Sequence, residues 1–357
     1  MSNPVDVHWF DSTMSGAPSL SGEAGKLIGV LDACLIDGFG SVTLDSMVVA
    51  SGIATATKST GHNFLDHTVI LIAGATPSGL NGEKRITRTG ATTFTFDATG
   101  ISDQTATGTI TAKMAPVGWT KAHSVTNKAA YARTALAATA MKLRVDDSPA
   151  QYPTLIMYET MSDVDTGTGA STTRYFAKSS AASATARAWR LYADDYMFYL
   201  FANADGSTWS SVMVFGDIAQ YKSGDAYHCL LIGHAAANTT SHLYFVDGTT
   251  TGSELCRSYT QVGGVVTSCR LSHRSCQYLG VGTLVSPNYA DNGYHAWPIE
   301  CREGVTIARG KMPGLFCPIH SSLFADGLVY VGNNRLFTQM TYNASYRAAM
   351  DITGPWR

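Results

Sequence analysis

The residues that most resemble metal ligands lie in the last third of this 357-residue chain. Cys269, His273 and Cys276 follow a Cys-x3-His-x2-Cys spacing, with further cysteines on either side at Cys256, Cys301 and Cys317. A structural zinc site needs four Cys or His ligands in paired, closely spaced knuckles, and the sequence has no Cys-x2-Cys pair. We therefore interpret these residues as buried thiols in neighbouring strands and predict no metal site.

The sequence contains no catalytic motif that is stronger than this metal-ligand spacing. Carboxylates that could flank a glycosidic bond are Asp194, Asp195, Glu159 and Asp163. A glycosidase needs two such groups across a cleft, and Asp194-Asp195 is better explained as the turn of a β-hairpin. The chain has no Gly-x-Ser-x-Gly elbow, and its Gly-x-Gly sequences lack the strand–helix context of a phosphate loop. His228, His234 and His242 lie on or beside predicted strands, where histidines are usually part of the core or its rim. We predict no catalytic residue and no cofactor.

Aromatic residues offer a different possibility, a binding surface. The aromatic-rich run Ala188–Ala202 and the residues after it contain the candidates Trp189, Tyr192, Tyr196 and Trp209. Such side chains could line a sugar-binding or protein-binding surface. Two stacked sheets also need a core of this kind, so the competing interpretation is that most of them are buried.

Composition describes the surface on which any site would lie. Only 15% of the residues are charged, against about 25% in typical soluble proteins. The surface should therefore be rich in Ser, Thr and Gly, as in proteins that bury it against neighbours in a large assembly, although monomeric all-β proteins share this trait. The net charge of −2 and the pI near 6.5 predict no binding to nucleic acid or to an anionic membrane. No stretch is long and apolar enough for a membrane-spanning helix, and no signal peptide is recognisable, so we expect synthesis in a cytoplasm. The seven cysteines are then expected to be free, buried thiols.

The first predicted unit, residues 1–41, is an extended arm followed by a short helix. The arm contains the apolar pair Trp9-Phe10, which we expect to dock rather than stay in water. Leu27, Ile28, Leu31, Leu35 and Ile36 then recur with helical spacing. We expect this amphipathic helix to begin near Ser21 or Gly22 and to end at Gly38 or Gly40. Trp9, Phe10, Leu27 and Leu31 are the candidate assembly residues.

The second predicted unit, residues 42–115, is a small all-β domain. In Thr93–Asp97 the alternation places Phe94 and Phe96 on a buried face and Thr93 and Thr95 on the opposite one. Asn81-Gly82 lies between two strand-like runs and predicts a tight turn, because both residues tolerate positive φ. Short strands separated by turns at this spacing indicate a small sandwich or barrel, and Pro116–Trp119 marks its end.

The third predicted unit, residues 116–357, is a larger β-sandwich with long Gly/Ser/Thr loops. The alanine-rich stretch Ala129–Arg144 predicts either a short helix or a loop leading into a strand at Lys142–Val145. Ala188–Ala202 predicts the clearest hairpin, and the remaining strands are placed at Leu155–Glu159, Thr208–Phe215, Tyr227–Ile232, His242–Val246, Gln277–Val281, Gly304–Arg309, Leu328–Val331 and Phe337–Tyr342.

From about residue 20 onward the chain resembles virion structural proteins of tailed bacteriophages and prophages. The resemblance is to the tail-tip or baseplate proteins of Mu-like transposable phages and of related siphophages. Its first half is carried by LIGVLDACLIDGFG and by GATPSGLNGEKRITRTGATTFTFDATG, and its second half by LRVDDS, YETMSDVDTGTG, IARGKMPGLFCPIH and DITGPWR. These motifs are turns and sheet patterns and carry no catalytic residue.

The resemblance implies a structural component of the virion, assembled in the bacterial host and working by docking. Its implied partners are other tail or baseplate proteins, further copies of itself in a ring, and a host surface receptor. One alternative is a receptor-binding or carbohydrate-binding tail protein, and a second is a hydrolase. No nucleic-acid partner and no membrane insertion are expected.

Overall fold

The computed structural model describes residues 5–206, 209–238, 252–267, 269–272, 296–304, 307–318, 329–332, 335–343 and 346–357. It is mainly β, with 46% strand and 5% helix, which confirms the predicted fold class. The strands predicted at His242–Val246 and Gln277–Val281 lie outside the described residues, as do His273 and Cys276.

The first 114 residues contain the helix and two small sheets. Their elements are β1 (His8–Asp11), α1 (Lys26–Asp32), a π-helical turn (Ala33–Asp37), β2 (Phe39–Thr43), β3 (Ser46–Ala50), β4 (Ile53–Thr57), β5 (Val69–Ala73), a 3-10 turn (Ser78–Leu80), β6 (Gly82–Arg85), β7 (Thr87–Arg88), β8 (Thr93–Asp97), β9 (Gln104–Thr105) and β10 (Thr111–Met114). Strands β2-β10-β5-β6 form one antiparallel sheet and β7-β8-β4-β3-β9 form the other. Apart from β2, which begins at Phe39, the strands of these two sheets lie within the predicted second unit, residues 42–115.

The remaining strands build three further sheets and a short two-stranded ladder. They are β11 (Thr120–Val125), β12 (Lys128–Ala132), β13 (Lys142–Asp146), β14 (Thr154–Tyr158), β15 (Thr160–Met161), β16 (Gly167–Thr168), β17 (Arg174–Tyr175), β18 (Trp189–Ala193), β19 (Met197–Ala202), β20 (Ser211–Asp217), β21 (Ala219–Gln220), β22 (Cys229–Ile232), β23 (Ser253–Leu255), β24 (Val266–Thr267), β25 (Arg270–Ser272), β26 (Ala296–Glu303), β27 (Ile307–Pro318), β28 (Val329–Gly332), β29 (Arg335–Asn343) and β30 (Tyr346–Asp351). The hairpin predicted at Ala188–Ala202 is confirmed as β18–β19. Asp194 forms its turn by accepting hydrogen bonds from the backbone N–H groups of Tyr196 and Met197.

The N-terminal arm contains strand β1, which joins a sheet whose other strands lie in the second half of the sequence. Strand β1 pairs with β18 at the edge of the sheet β1-β18-β19-β20-β22-β23-β24. Trp9 stacks on Tyr192 with ring centroids 6.4 Å apart, and Phe10 contacts Phe39 at 5.8 Å. The expected docking of the Trp9-Phe10 pair therefore occurs within the chain.

The sheet β1-β18-β19-β20-β22-β23-β24 is covered on both faces. On one face Trp119 packs on Phe198 and Phe215, with ring centroids 5.5 and 6.0 Å apart. On the other face the Tyr199 ring meets Trp356 at 5.7 Å, and its hydroxyl donates to the carbonyl of Pro313 at 2.7 Å. Strands β19 and β20 consequently have no exposed residue.

The predicted helix is confirmed, but its start is not at Ser21 or Gly22. It begins at Lys26 after Gly25, whose φ is +78°, and its π-helical extension ends before Gly38. The carboxylate of Asp147 caps this start by accepting hydrogen bonds from the N–H groups of Leu27 and Ile28 at 2.7 and 3.1 Å. A cap supplied by a residue 120 positions away in sequence is not visible in the local pattern.

One local prediction is wrong, and one of two alternatives for a second segment is excluded. Asn81-Gly82 is not a tight turn between strands, because an eight-residue segment, 74–81, connects β5 to β6. The Asn81 side chain closes that segment by exchanging two 2.8 Å hydrogen bonds with the backbone of Ala75. Of the two alternatives for the alanine-rich stretch, the helix is excluded, because Ala129 and Ala130 pair with Val145 and Arg144 as strand residues. The strand expected at Lys142–Val145 is confirmed as β13.

We predict that Trp9→Ala destabilises the isolated chain by about 3–5 kcal/mol, because it removes a buried ring that stacks on Tyr192. Chemical denaturation of the purified protein measures this free energy. Val125→Ala is the control, since its side chain is exposed and the change should stay within about 0.5 kcal/mol. Equal stability of the two variants would contradict the structural role of the arm.

Candidate functional site

The four predicted assembly residues all lie in the core of the chain. Phe10, Leu27 and Leu31 are fully buried, and Trp9 is 5% exposed. Such side chains reach a partner only if the contacts around them open. The structure therefore gives them a role in holding the arm and helix against the chain's own sheets.

The aromatic ligand surface is corrected at two of its four positions. Trp189 and Tyr192 are completely buried, because β18 lies inside a sheet that is covered on both faces. Tyr196 and Trp209 are partly exposed. Each carries an arginine on its ring, with Arg357 4.6 Å from Tyr196 and Arg190 4.9 Å from Trp209.

The cysteines for which the structure describes a side chain are free and buried, as predicted. They are Cys34, Cys229, Cys256, Cys269, Cys301 and Cys317. Burial raises the pKa of Cys229 to about 12, which keeps this thiol protonated and unreactive. Within the described ranges no group of three or more His, Cys, Asp or Glu residues could hold a metal ion.

Two carboxylates considered above as catalytic candidates, Glu159 and Asp194, form structural hydrogen bonds instead. Glu159 accepts a bidentate pair of 2.6 Å hydrogen bonds from Arg257. These bonds hold the pKa of Glu159 below its usual value. Asp194 is largely buried in its hairpin turn, and desolvation raises its pKa.

A separate buried network fastens β20 to the β12–β13 loop. Arg133 donates to Asp217 at 2.8 Å and to the carbonyl of Thr139 at 2.8 Å. Thr139 returns two 2.7 Å hydrogen bonds to the same carboxylate. Both charged side chains are fully buried and paired, so the cluster locks two sheets together rather than opening to a ligand.

The most distinctive exposed feature is the outer face of the sheet β7-β8-β4-β3-β9. We call it the threonine face. It consists of Ser46, Val48, Ala50, Ile53, Thr55, Thr57, Thr87, Thr93, Thr95, Asp97 and Thr105. The opposite face carries Met47, Val49, Ala54, Phe94 and Phe96 into the core of the small sandwich. The predicted division of Thr93 and Thr95 from Phe94 and Phe96 is thus confirmed.

Strand register orders the threonine face into rows. Thr87 pairs with Thr95, which pairs with Thr55. Thr55 is opposite Val48, and Val48 is opposite Thr105. One row of hydroxyl- and methyl-bearing side chains therefore crosses all five strands.

The threonine face is nearly free of ionisable groups. Asp97 is its single ionisable side chain, and the hydrogen bonds it accepts from Thr99 lower its pKa. Two aliphatic side chains within the face are exposed, Val48 by 42% and Ile53 by 47%. A sheet face of this kind has no catalytic chemistry, but it can exclude water from a flat contact with another protein.

Sequence reasoning found only the β8 part of this face. The same alternation runs through Ser46–Ala50 and Ile53–Thr57, and that signal was available. What the pattern could not supply was the pairing order of the strands, which depends on contacts between distant residues.

No known protein-family model matches this chain, and no curated protein sequence matches it significantly. Among the described residues, no helix is long and apolar enough to cross a membrane.

We predict that the Glu159–Arg257 pair makes the stability of the protein pH-dependent in the acid range. Because the folded-state pKa of Glu159 is lowered, the pair stabilises the fold above the unfolded-state pKa of about 4.3. This contribution is lost as the pH falls through the folded-state pKa. Urea unfolding between pH 3 and pH 7 should show the wild type and Glu159→Gln converging as the pH falls. A difference that is constant with pH would contradict this role.

Proposed function

We propose that this chain is a structural component of a bacteriophage virion, within the tail tip or baseplate. It acts by protein–protein docking in a symmetric assembly, with other tail or baseplate proteins and further copies of itself as partners. Its location would be the virion, after synthesis and assembly in the bacterial host. The sequence resemblance suggests the setting, and the threonine face is the observation that supports docking.

The threonine face suits a contact between proteins because little must be desolvated to cover it. Lys and Glu are depleted at the cores of protein interfaces, since charged side chains are costly to bury. The face contains neither, and the exposed side chains of Val48 and Ile53 supply apolar area at Ser46–Thr57. Threonine hydroxyls can exchange water for a partner's hydrogen-bonding groups while their methyl groups pack.

The size of the face indicates how such a contact would be used. Three strands of five residues and two of two residues, about 4.8 Å apart and rising about 3.4 Å per residue, span roughly 300 Å². A stable protein interface buries about 800 Å² on each partner. One threonine face is therefore too small to hold a lasting pair by itself. It suits an assembly in which each subunit is held by several contacts at once.

We predict that Thr55→Arg prevents incorporation of the chain into particles while leaving its fold intact. Thr55 is exposed in the central strand of the face, so an arginine there places a charge inside the contact without touching the core. Quantification of the chain in purified particles, by mass spectrometry and by electron microscopy of its position, measures the effect. Thermal unfolding of the purified variant checks the fold.

Ser124→Arg is the matched control, because Ser124 is exposed on β11 in a different sheet. It should be incorporated like the wild type. Normal incorporation of Thr55→Arg would remove the threonine face from the docking contact. A wild-type chain that is monomeric and belongs to no particle would overturn the proposed function itself.

A further inference from the structure

A second exposed surface lies on the loops that follow β21 and β23 and on the end of β26 and the start of β27. We call it the three-loop surface and define it by Tyr221, Lys222, Tyr259, Val262, Glu303 and Ile307. Its apolar members are 47% exposed at Tyr221, 40% at Tyr259, 76% at Val262 and 37% at Ile307. They are four of the nine large apolar side chains that are exposed among the described residues. The prediction of an aromatic ligand surface had placed it on other residues, two of which are buried.

One buried arginine holds the three loops together. Arg309 donates to Asp225 in the first loop at 2.8 Å and to the carbonyl of Arg257 in the second at 2.8 Å. It also donates to Glu303 at the β26–β27 turn at 2.9 Å. The Arg309 side chain is fully buried, so these bonds are protected from water. These hydrogen bonds therefore fix the positions of the loops relative to one another.

The two exposed tyrosine rings are also individually held. The Tyr221 hydroxyl donates to Glu300 at 2.8 Å, and its backbone N–H donates to the carbonyl of Arg309 at 2.9 Å. The Tyr259 backbone N–H donates to Glu303 at 2.7 Å. Lys222 joins the first two loops, since its ammonium lies 4.6 Å from the Tyr259 ring centroid and donates to the Tyr259 carbonyl at 2.7 Å. Ordering these rings for a ligand would cost little entropy.

The charges of the surface indicate a neutral ligand. Arg309 is paired with Asp225 and Glu303, and Arg257 is paired with Glu159. Arg302 is paired with Glu300 at 3.1 Å. Among the described residues of this region, these acidic and basic groups are therefore paired with one another rather than arranged as a patch of one sign.

We propose that the three-loop surface binds a neutral saccharide. A pyranose ring has an apolar C–H face, which can stack on Tyr221 or Tyr259, and an edge of hydroxyl groups. Glu303 can accept a hydrogen bond from such a hydroxyl, and the Lys222 ammonium can donate to one. Amphipathic rings beside a few fixed polar groups are the combination that sugar recognition requires.

The same features disfavour a protein partner at this surface. Lys222 contacts the Tyr259 ring, and Glu303 accepts a hydrogen bond from the Tyr259 backbone N–H, so both charged groups lie directly beside an exposed ring. Interface cores are depleted in Lys and Glu, and a protein would have to desolvate both. The threonine face, which contains neither residue, differs in this respect. The two surfaces thus suit partners of different chemistry.

The test is binding of the full chain to immobilised neutral oligosaccharides of hexose and N-acetylhexosamine units, followed by calorimetry of the best binder. The wild type should bind, and Tyr259→Ala should weaken the affinity by about tenfold or more, because the stacking area is lost. Leu136→Ala is the control, since Leu136 is fully exposed elsewhere. It should bind like the wild type.

Thr55→Arg should also keep full saccharide binding, which separates this inference from the docking function. The inference is overturned if the wild type binds none of the oligosaccharides, or if Tyr259→Ala binds as tightly as the wild type. It is likewise overturned if a protein or peptide, and no saccharide, protects Tyr259 from chemical nitration.

Discussion

The burial of strands β19 and β20 on both faces determines how the rest of the chain must be arranged. A sheet whose two faces are both apolar needs two covering layers, and no single neighbouring segment supplies them. Trp119 and the loop holding Arg133 cover one face. Strand β27 and the segment ending in Trp356 cover the other. The arm, the five-stranded sheet β11-β12-β13-β14-β17 and the sheet β25-β26-β27-β30-β29-β28 are thus parts of one packing arrangement.

Buried ion pairs fix the relation between these layers. Lys178 and Asp147 form a pair in which both side chains are fully buried, and the same carboxylate caps α1. Desolvation raises the pKa of Asp147 and lowers that of Lys178, so burial disfavours the charged form of both side chains. Such pairs add little net stability compared with apolar packing, but removing one partner is costly. Their effect here is to allow one arrangement of helix and sheet. Arg309 does the same for the three loops.

The sequence was informative where a residue's environment depends on its near neighbours. The alternation in Thr93–Asp97, the hairpin at Asp194-Asp195 and the apolar spacing of α1 all predicted the correct element. Prediction was wrong or silent where the decisive contact is distant, as with Asp147 at the start of α1 and Ala129 beside Val145. Trp189 and Tyr192 were placed on a possible surface because a period-two pattern cannot show that both faces of a sheet are covered. The sequence pattern does not indicate Tyr221 and Tyr259, because isolated tyrosines in loops have no periodicity.

The pairing of β1 with β18 has a consequence for how this protein folds. Asp11 and Arg190 form an ion pair across 179 positions of sequence, so the arm has no strand partner until β18 has been synthesised. Until then the Trp9 ring lacks the Tyr192 ring on which it stacks. Contacts between such distant residues slow folding, because the loop between them must close before any of them is gained. The pairing of β1 with β18 is thus expected to form late in folding.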